Sequence, residues 1–238
     1  MRCVRFRWTK RACGRRSWKK SGADLAYIMP SHQFPMGMVM PMKRRMQLLA
    51  WASRENGRYL IEDDYDSEFR YKGRPIPALQ GNDTEGKVIY LGTFSRAIAP
   101  SIRISYMVLP ETLLPAYEEN GRCFSATVSK TDQKILEEFM RSGAFERHLN
   151  RMRAQYKGKH DLLIRLLKEI LGGSTRCPAR NAGVHVLVHL PRGLSEAEAV
   201  QLGKRGWRAR VRAGTVLHRR CRRSRTGRHS TAWVRRAF

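Results

Sequence analysis

The chain has 238 residues, of which 42% are hydrophobic, and this is enough to bury one sizeable core or two small ones, as in a globular protein. The net charge of +27 comes mainly from the two ends, because residues 1–20 and 204–238 together hold 22 Lys and Arg and no Asp or Glu, whereas residues 21–203 have 25 basic and 20 acidic side chains. No stretch of about 18 apolar residues is present and no apolar run follows the basic start, which excludes a membrane span and a secretory signal.

The two basic ends, residues 1–22 and 204–238, differ from the rest of the chain. They hold three of the five cysteines and four of the five tryptophans, and they show neither helical nor strand periodicity. One interpretation is a pair of arms that bind nucleic acid, since Lys and Arg neutralise phosphate. The interpretation we favour is out-of-frame translation of GC-rich DNA, with a disordered segment at 1–22. No CxxC pair is present, so we expect reduced thiols in a cytoplasmic chain and no metal site.

The first part of the remaining chain predicts strands and a helix in alternation, beginning with a buried strand at 25–29 and a loop at 31–37. A helix then begins at Pro41 and closes at Asn56-Gly57. Its predicted buried face consists of Met42, Met46, Leu49 and Ala50. Three further strands are predicted, at 59–61, 88–91 and 105–109. Short apolar strands with a helix between the first two predict an α/β domain, in which a mostly parallel sheet has helices on both faces.

Residues 110–170 predict helices, because apolar side chains recur there at helical spacing. The predicted faces are Ile135, Leu136, Phe139 and Met140, then Leu149, Met152 and Tyr156, and finally Leu162, Leu163, Leu166, Leu167 and Ile170. The end of the patterned chain returns to α+β, with a strand at 184–188 and a capping box of Ser195 and Glu198. We therefore divide it into a large domain at 23–156 and part of a small α+β domain at 157–203.

Polar side chains follow two of the predicted strands. Asp63 and Tyr65 come after one strand, and Thr93 and Ser95 come after another. Because ligands of doubly wound sheets bind beyond the carboxyl ends of the strands, these residues are candidates for a binding site. An acidic run after a strand is by itself weak evidence, since it is also typical of a solvated loop or a magnesium site.

Three motifs in order identify a resemblance. They are Pro-Ser-His-Gln-Phe-Pro-x-Gly at 30–37, Glu-Asp-Asp-Tyr-Asp-Ser-Glu-Phe-Arg-Tyr at 62–71, and Gly-Thr-Phe-Ser at 92–95 followed by Pro100 and Arg103. With further matches at 143–153 and 183–185, residues 23–203 resemble the MocR-type transcriptional regulators of the GntR family. The resemblance implies part of a fold type I transferase domain that depends on pyridoxal phosphate (PLP), with a remnant of the small C-terminal domain.

The resemblance also implies roles around the cofactor ring. Asp63 looks like the carboxylate that pairs with the pyridine nitrogen and keeps it protonated, so that the ring can accept electrons. Tyr65 resembles the phenol that bonds to the ring hydroxyl. His32 and Gln33 lie on the loop that lines the ring, although two polar loop residues bonded to backbone remain an equal alternative.

The phosphate of the cofactor would contact Thr93, Ser95 and Arg103, since a guanidinium and two hydroxyls suit its oxygens. The next position, Arg96, departs from the family. It stands where the family has the lysine that forms a Schiff base with the cofactor, and a guanidinium offers no free amine. We therefore expect this position to be unable to hold PLP covalently and the chain to be catalytically impaired.

The resemblance implies a fragment of a PLP-binding effector domain that senses the cofactor or an amino compound, with a homodimer as the family's usual assembly. Nothing before residue 23 resembles a winged helix, so we expect any DNA contact to depend on a domain missing from this chain. The main alternative is a PLP-dependent aminotransferase, such as one acting on 2-aminoadipate. A third interpretation is a basic protein that binds nucleic acid through its tails.

Overall fold

The computed structural model describes residues 8–9, 12–13, 22–34, 36–71, 77–121, 123–125, 127–171, 183–189, 198, 201, 215–217 and 231–236. The chain divides into two compact units. The first comprises Met1–Phe34, Met38–Ser67 and Arg74–Arg151, and the second comprises Pro35–Gly37, Glu68–Gly73 and Met152–Phe238. The domain boundary predicted after residue 156 and the change of unit after Arg151 fall within the same long helix.

The first unit is built around a four-stranded sheet. Its elements are β1 (Trp8–Thr9), β2 (Ala12–Cys13), β3 (Leu25–Ile28), α1 (Met42–Ala52), β4 (Tyr59–Asp64), a 3-10 helix (Gln80–Asn82), β5 (Val88–Thr93), α2 (Phe94–Ala97), β6 (Ser105–Val108), a second 3-10 helix (Glu111–Leu113), α3 (Leu114–Gly121) and α4 (Lys130–Arg141). The strand order is β3-β4-β5-β6, in which β3, β4 and β5 are parallel and β6 is antiparallel to β5. The mostly parallel α/β sheet predicted from the sequence is confirmed.

The core of the first unit lies between the sheet and α1. Pro41 precedes the helix in an extended conformation, as its fixed φ allows, and the chain turns back into β4 after Ala52. One face of the sheet packs on this helix and on the segments around it. The buried apolar residues of this core are Ala26, Ile28, Met40, Leu48, Leu49, Trp51, Ala52, Leu60, Leu79 and Val88.

The predicted buried face of α1 is wrong in part. Met42 and Met46 are 43% and 38% exposed, and Ala50 is exposed as well. The helix instead buries Arg45, Leu48, Leu49, Trp51 and Ala52. A charged side chain at a core position shifts the apparent apolar stripe, because a count of apolar residues leaves Arg45 out.

The opposite face of the sheet is only half-buried in the described part of the chain. Tyr27 on β3 is 54% exposed and Met107 on β6 is 45% exposed. Ile61, Ile89 and Leu91, which point to the same face, are of intermediate exposure. On the α1 face, Tyr106 and Val108 of β6 are also exposed, at 40% and 44%, so the most buried part of the sheet lies in β3, β4 and β5.

Helix α4 lies largely in solvent. Ser129 caps its first turn, since the Ser129 Oγ accepts from the Asp132 amide at 3.0 Å and donates to the Asp132 carboxylate at 2.8 Å. Of the predicted face, Leu136 is buried, whereas Ile135 is 63% exposed and Met140 is 39% exposed. The helical periodicity is thus confirmed, and the face is half covered, because the Phe139 ring packs against Phe145 while Ile135 and Met140 are exposed.

The second unit combines the later part of α5 (Ala144–Leu171) with an antiparallel sheet of order β7-β9-β8, formed by β7 (His185–His189), β8 (Thr215–Leu217) and β9 (Thr231–Arg236). Leu163, Ile164 and Leu167 pack on Val186 and Val188 of β7. Met152, Tyr156 and Val184 form a second cluster with Phe69 and Tyr71. The strand predicted at 184–188 and the helical face around Tyr156 are confirmed.

Regular structure also occurs within both basic ends. The strands β1 and β2 pair with each other, and β8 and β9 belong to the sheet of the second unit. These strands lie in segments whose sequence shows no strand periodicity, so the apolar pattern does not predict them. Of the predicted capping box, Ser195 lies outside the described residues. In the part of the chain that the structure describes, no helix has both the length and the apolar character needed to cross a membrane.

Candidate functional site

The polar residues after the strands meet at one edge of the four-stranded sheet. Asp63 of β4 is the register partner of Leu91 in β5, and Thr93 lies two residues further along β5. Because side chains on a strand alternate between faces, Asp63 and Thr93 point to the same, half-buried face. Thr93 pairs with Ser105, the first residue of β6, so the loop before Ser105 reaches the same edge. That loop carries Arg103.

The strand β4 is longer than the sequence predicts, since it runs to Asp64 and includes Asp63. The acidic run is therefore divided by the strand alternation and is not a loop. Glu62 and Asp64 face the α1 side and are buried, whereas Asp63 faces the other side. A carboxylate inside a pleated strand is held in a fixed direction, which suits a residue that must meet a ligand.

Asp63 has a partner that the sequence reading does not identify. The Tyr27 hydroxyl on the neighbouring strand β3 donates to the Asp63 Oδ2. Tyr27 pairs with Ile61 in the register, so it points to the same face as Asp63. Burial, the hydrogen bond and the charge of Asp63 raise the pKa of the Tyr27 hydroxyl above its ordinary value. The phenol consequently stays protonated and remains a donor.

The two carboxylates on the α1 side have structural partners. Both oxygens of Glu62 accept backbone N–H groups, from Leu79 and Gln80, at 2.8 Å. Asp64 Oδ2 accepts from the Tyr90 hydroxyl at 2.9 Å. Burial raises the pKa of both carboxyl groups, and these hydrogen bonds oppose the shift. Glu62 holds the sheet to the segment at Leu79 and Gln80, Asp64 links β4 to β5 through Tyr90, and neither carboxylate faces the side of the sheet on which Asp63 lies.

The loop after β3 is tied to the loop after β4. His32 is 2% exposed, and its Nδ1 lies 2.8 Å from Asp66 Oδ2. The Tyr65 hydroxyl donates to the His32 carbonyl at 2.8 Å and lies 3.3 Å from Nδ1 of the same residue. The structure therefore brings His32, Tyr65 and Asp66 together, and in this arrangement the Tyr65 hydroxyl has a protein partner.

Gln33 has the backbone contacts of a polar loop residue. Its backbone N–H donates to the Met38 carbonyl at 2.9 Å, and its side-chain Nε2 donates to the Phe34 carbonyl. This is the arrangement expected from the backbone-bonded alternative for Gln33. His32 differs, because its ring contacts a carboxylate. The role of both residues toward a cofactor stays a prediction.

Arg45 fixes the base of the loop that carries His32. It is fully buried, and its guanidinium donates to the carbonyls of Met40, Pro77 and Pro30 at 3.1, 2.7 and 2.9 Å. The Met40 amide also donates to the Pro30 carbonyl at 2.8 Å, so the two ends of the loop are joined directly. The sequence contains no signal for this role, since all three acceptors are backbone atoms.

Thr93 caps the short helix α2, and Ser95 lies in its first turn. Thr93 Oγ1 accepts from the Ser95 amide at 3.2 Å and donates to the Ile104 carbonyl at 3.1 Å. The Phe94 ring packs against Tyr106 with centroids 5.1 Å apart, which anchors the helix to β6. Ser95 is buried, and Arg96 follows it with intermediate exposure. The hydroxyl of Thr93 thus serves as a helix cap and links the two loops at this edge.

Arg103 is exposed and has an unusual backbone. Its φ is +50°, and every other residue with positive φ in the described part of the chain is glycine. For a residue with a side chain this conformation costs about 1–2 kcal/mol. Backbone strain of this kind persists only where the surrounding structure imposes it, and it occurs most often at functional sites.

The edge thus combines a carboxylate and a guanidinium near the carboxyl ends of parallel strands. Such a pair suits a ligand that has a basic ring at one end and an anionic group at the other. Comparison with known proteins shows that the aminotransferase class I and II family matches residues 28–234.

The chain belongs to this family.

The match to the aminotransferase family extends past residue 203, where the resemblance seen in the sequence ends, and includes the residues of β8 and most of β9. The fold type I assignment is confirmed by a kynurenine aminotransferase from Pyrococcus horikoshii, whose structure was solved with PMP. It superposes with a TM-score of 0.77 at 23% identity, covering 99% of this chain and 59% of that one. The α-aminoadipate aminotransferase LysN from Thermus thermophilus has a TM-score of 0.67 at 25% identity, covering 83% and 52%.

The similarity to MocR-type regulators is also confirmed. The HTH-type transcriptional regulator YhdI of Bacillus subtilis is 46% identical over 177 residues, which are 74% of this chain and 38% of the regulator. The pyridoxine biosynthesis regulator PdxR of Corynebacterium glutamicum is 33% identical over 161 residues, covering 68% of this chain and 35% of PdxR. The chain therefore spans between a third and two fifths of the length of these regulators.

Proposed function

We propose that the chain forms part of the PLP site in the aminotransferase-like effector domain of a MocR-type transcriptional regulator, and that it holds the cofactor without a covalent bond. The observation that carries the proposal is the arrangement at the sheet edge. Asp63 and Thr93 share one face of adjacent strands, and the loop with Arg103 reaches the same edge through the pairing of Thr93 with Ser105.

The residues fit the two ends of this cofactor. Asp63 offers a carboxylate oxygen to a protonated ring nitrogen, and Arg103 offers an exposed guanidinium to the phosphate. When bound, the ring of PLP supplies an electron sink for an amino compound. Thr93 and Tyr65 have hydroxyls that already donate to carbonyl groups, so each must turn to bind the cofactor. Arg103 is therefore the principal phosphate ligand in this proposal, and Ser95 is a further candidate.

Arg96 makes regulation a better proposal than catalysis. The guanidinium stays protonated and cannot form the covalent bond that an amine would form with PLP. The identity to HTH-type regulators reaches 46%, compared with 29% for an aromatic-amino-acid aminotransferase from Thermococcus litoralis. We accordingly assign the chain to a cytoplasmic regulator whose effector is PLP or an amino compound, acting as a homodimer. DNA recognition would belong to a winged-helix domain of such a regulator.

Equilibrium dialysis against PLP tests the proposal. The parent chain should bind PLP, and Arg103→Gln should weaken binding by about tenfold to a hundredfold, because a charge-assisted hydrogen bond contributes about 1.5–3 kcal/mol. Arg54→Gln is the matched control, since Arg54 is an exposed arginine in the turn after α1. Equal PLP affinity of the two variants would contradict the assignment of Arg103.

Borohydride reduction tests the non-covalent mode of binding. After reduction with PLP, peptide mapping of the parent should show no adduct at residue 96, whatever happens at surface lysines. In Arg96→Lys the proposed site predicts a new adduct at that residue. An absence of adduct at residue 96 in this variant, despite bound PLP, would place the cofactor somewhere other than the sheet edge.

A further inference from the structure

We propose that Tyr27 is the positioning residue for Asp63, and that its hydroxyl holds one oxygen of this carboxylate so that the other faces the basic nitrogen of the ligand ring. The inference rests on the proposed PLP site and adds a residue to it. Tyr27 would not touch the cofactor in this role, because it acts through the carboxylate.

The geometry of the sheet supports this role. Tyr27 and Ile61 are register partners on β3 and β4, and Asp63 lies two residues beyond Ile61, so both polar side chains rise from the same face. The Tyr27 hydroxyl donates to the Asp63 Oδ2. Among the described residues no other hydrogen bond or ion pair to this carboxylate accompanies it. The bond therefore selects one rotation of the carboxylate and leaves Oδ1 available.

The electrostatics act in the same direction. Because burial and the Asp63 charge raise the pKa of the Tyr27 hydroxyl, this group donates its proton and does not ionise under ordinary conditions. The phenol is therefore a lasting donor to Asp63 Oδ2, and it orients the carboxylate on this face of the sheet.

Tyr27→Phe removes the donor and little else. The side chain is 54% exposed, so loss of one hydroxyl should leave the fold intact. Tyr59→Phe is the matched control, because Tyr59 lies on β4 and points to the same face as Asp63. We expect Tyr27→Phe to weaken PLP binding by about threefold to tenfold, the contribution of one hydrogen bond to a charged group in part-exposed surroundings, and Tyr59→Phe to leave it unchanged.

Two readouts separate positioning from a general structural effect. The first is the carboxyl ¹³C NMR signal of Asp63 in the ligand-free chain, which should move in Tyr27→Phe and stay in place in Tyr59→Phe. The second is a double-mutant cycle on PLP affinity, in which Tyr27→Phe should have no further effect once Asp63→Ala is present.

The outcomes distinguish this inference from the proposed function. If the parent binds PLP but Tyr27→Phe binds it equally well, or if the two effects add, the positioning role is overturned and the PLP site stands. A stationary Asp63 signal in Tyr27→Phe also overturns it. If the parent does not bind PLP, the proposed function fails and the role of Tyr27 toward the cofactor fails with it, whereas a moving Asp63 signal still reports the hydrogen bond.

Discussion

Arg45 is the buried cation at the base of the His32 loop, and replacing it with methionine tests whether backbone carbonyls hold this charge. The side chain is fully buried and donates to three carbonyls. The Pro30 carbonyl keeps a partner in the Met40 amide, but the carbonyls of Met40 and Pro77 lose this donor. Methionine fills the volume of the arginine stem, so the change mainly removes these hydrogen bonds and the attraction between Arg45 and the buried Glu62 carboxyl.

The expected magnitude follows from these contacts. The buried Met40 carbonyl costs about 1–3 kcal/mol without a partner, whereas the carbonyl of the exposed Pro77 costs less because water replaces the lost donor. Relief from burying the guanidinium offsets part of this loss. We expect Arg45→Met to lower the free energy of unfolding by about 2 kcal/mol, a large share of the 5–15 kcal/mol typical of a domain. Arg45→Lys should fall between the parent and Arg45→Met, since ammonium donates fewer bonds in a fixed geometry.

Urea unfolding followed by circular dichroism measures the change, and an unchanged slope against urea shows that the same surface unfolds. Arg54→Met is the control, because Arg54 is exposed and its replacement should stay within about 0.5 kcal/mol of the parent. If Arg45→Met were no more destabilised than Arg54→Met, the three carbonyl contacts would not hold the loop and the reasoning would be refuted.

Three further changes test the packing, the helix cap and the electrostatics. Gly92→Ala should cost about 1–3 kcal/mol in urea unfolding, because an added Cβ would lie 2.3 Å from the Tyr106 ring, and a loss that persists in a Tyr106→Ala background would contradict this cause. Ser129→Ala should cost about 1 kcal/mol, read from thermal unfolding, and no loss would show that the cap does not matter. Burial raises the pKa of Asp64, so its neutral form stabilises the fold below the ordinary pKa of about 4, and this stability is lost as pH rises through the raised pKa. Asp64→Asn should therefore flatten the fall of the unfolding free energy with pH. An unchanged pH profile would exclude the effect.

The order of strands and helices is predictable from the sequence because each strand is a short apolar run and each turn has its own signal. The apolar runs at 25–29, 59–61 and 88–91 locate the three parallel strands, although two of these strands continue into the polar residues that follow, to Asp64 and Thr93. The carboxyl-edge position of Asp63 and Thr93 follows as well, since parallel strands end at the same edge. This part of the site needs no knowledge of distant contacts.

The remaining features depend on contacts between residues far apart in the chain. Tyr27 and Asp63 are 36 positions apart, and only the strand register shows that they share a face. Arg45 reads as a surface residue until three backbone carbonyls are seen around it. The left-handed backbone of Arg103 likewise has no sequence signal, because an arginine is not expected there. Local patterns do not contain this information.

The central claim is that PLP binds at the edge formed by Asp63, Thr93 and Arg103. Hydrogen–deuterium exchange with and without PLP tests it most directly, because the basic ends could also attract a phosphate. We expect slower exchange in peptides covering 62–66, 92–96 and 102–105, with no change at 1–20 or 204–238. Protection confined to the basic ends, or spread evenly over the chain, would contradict the claim.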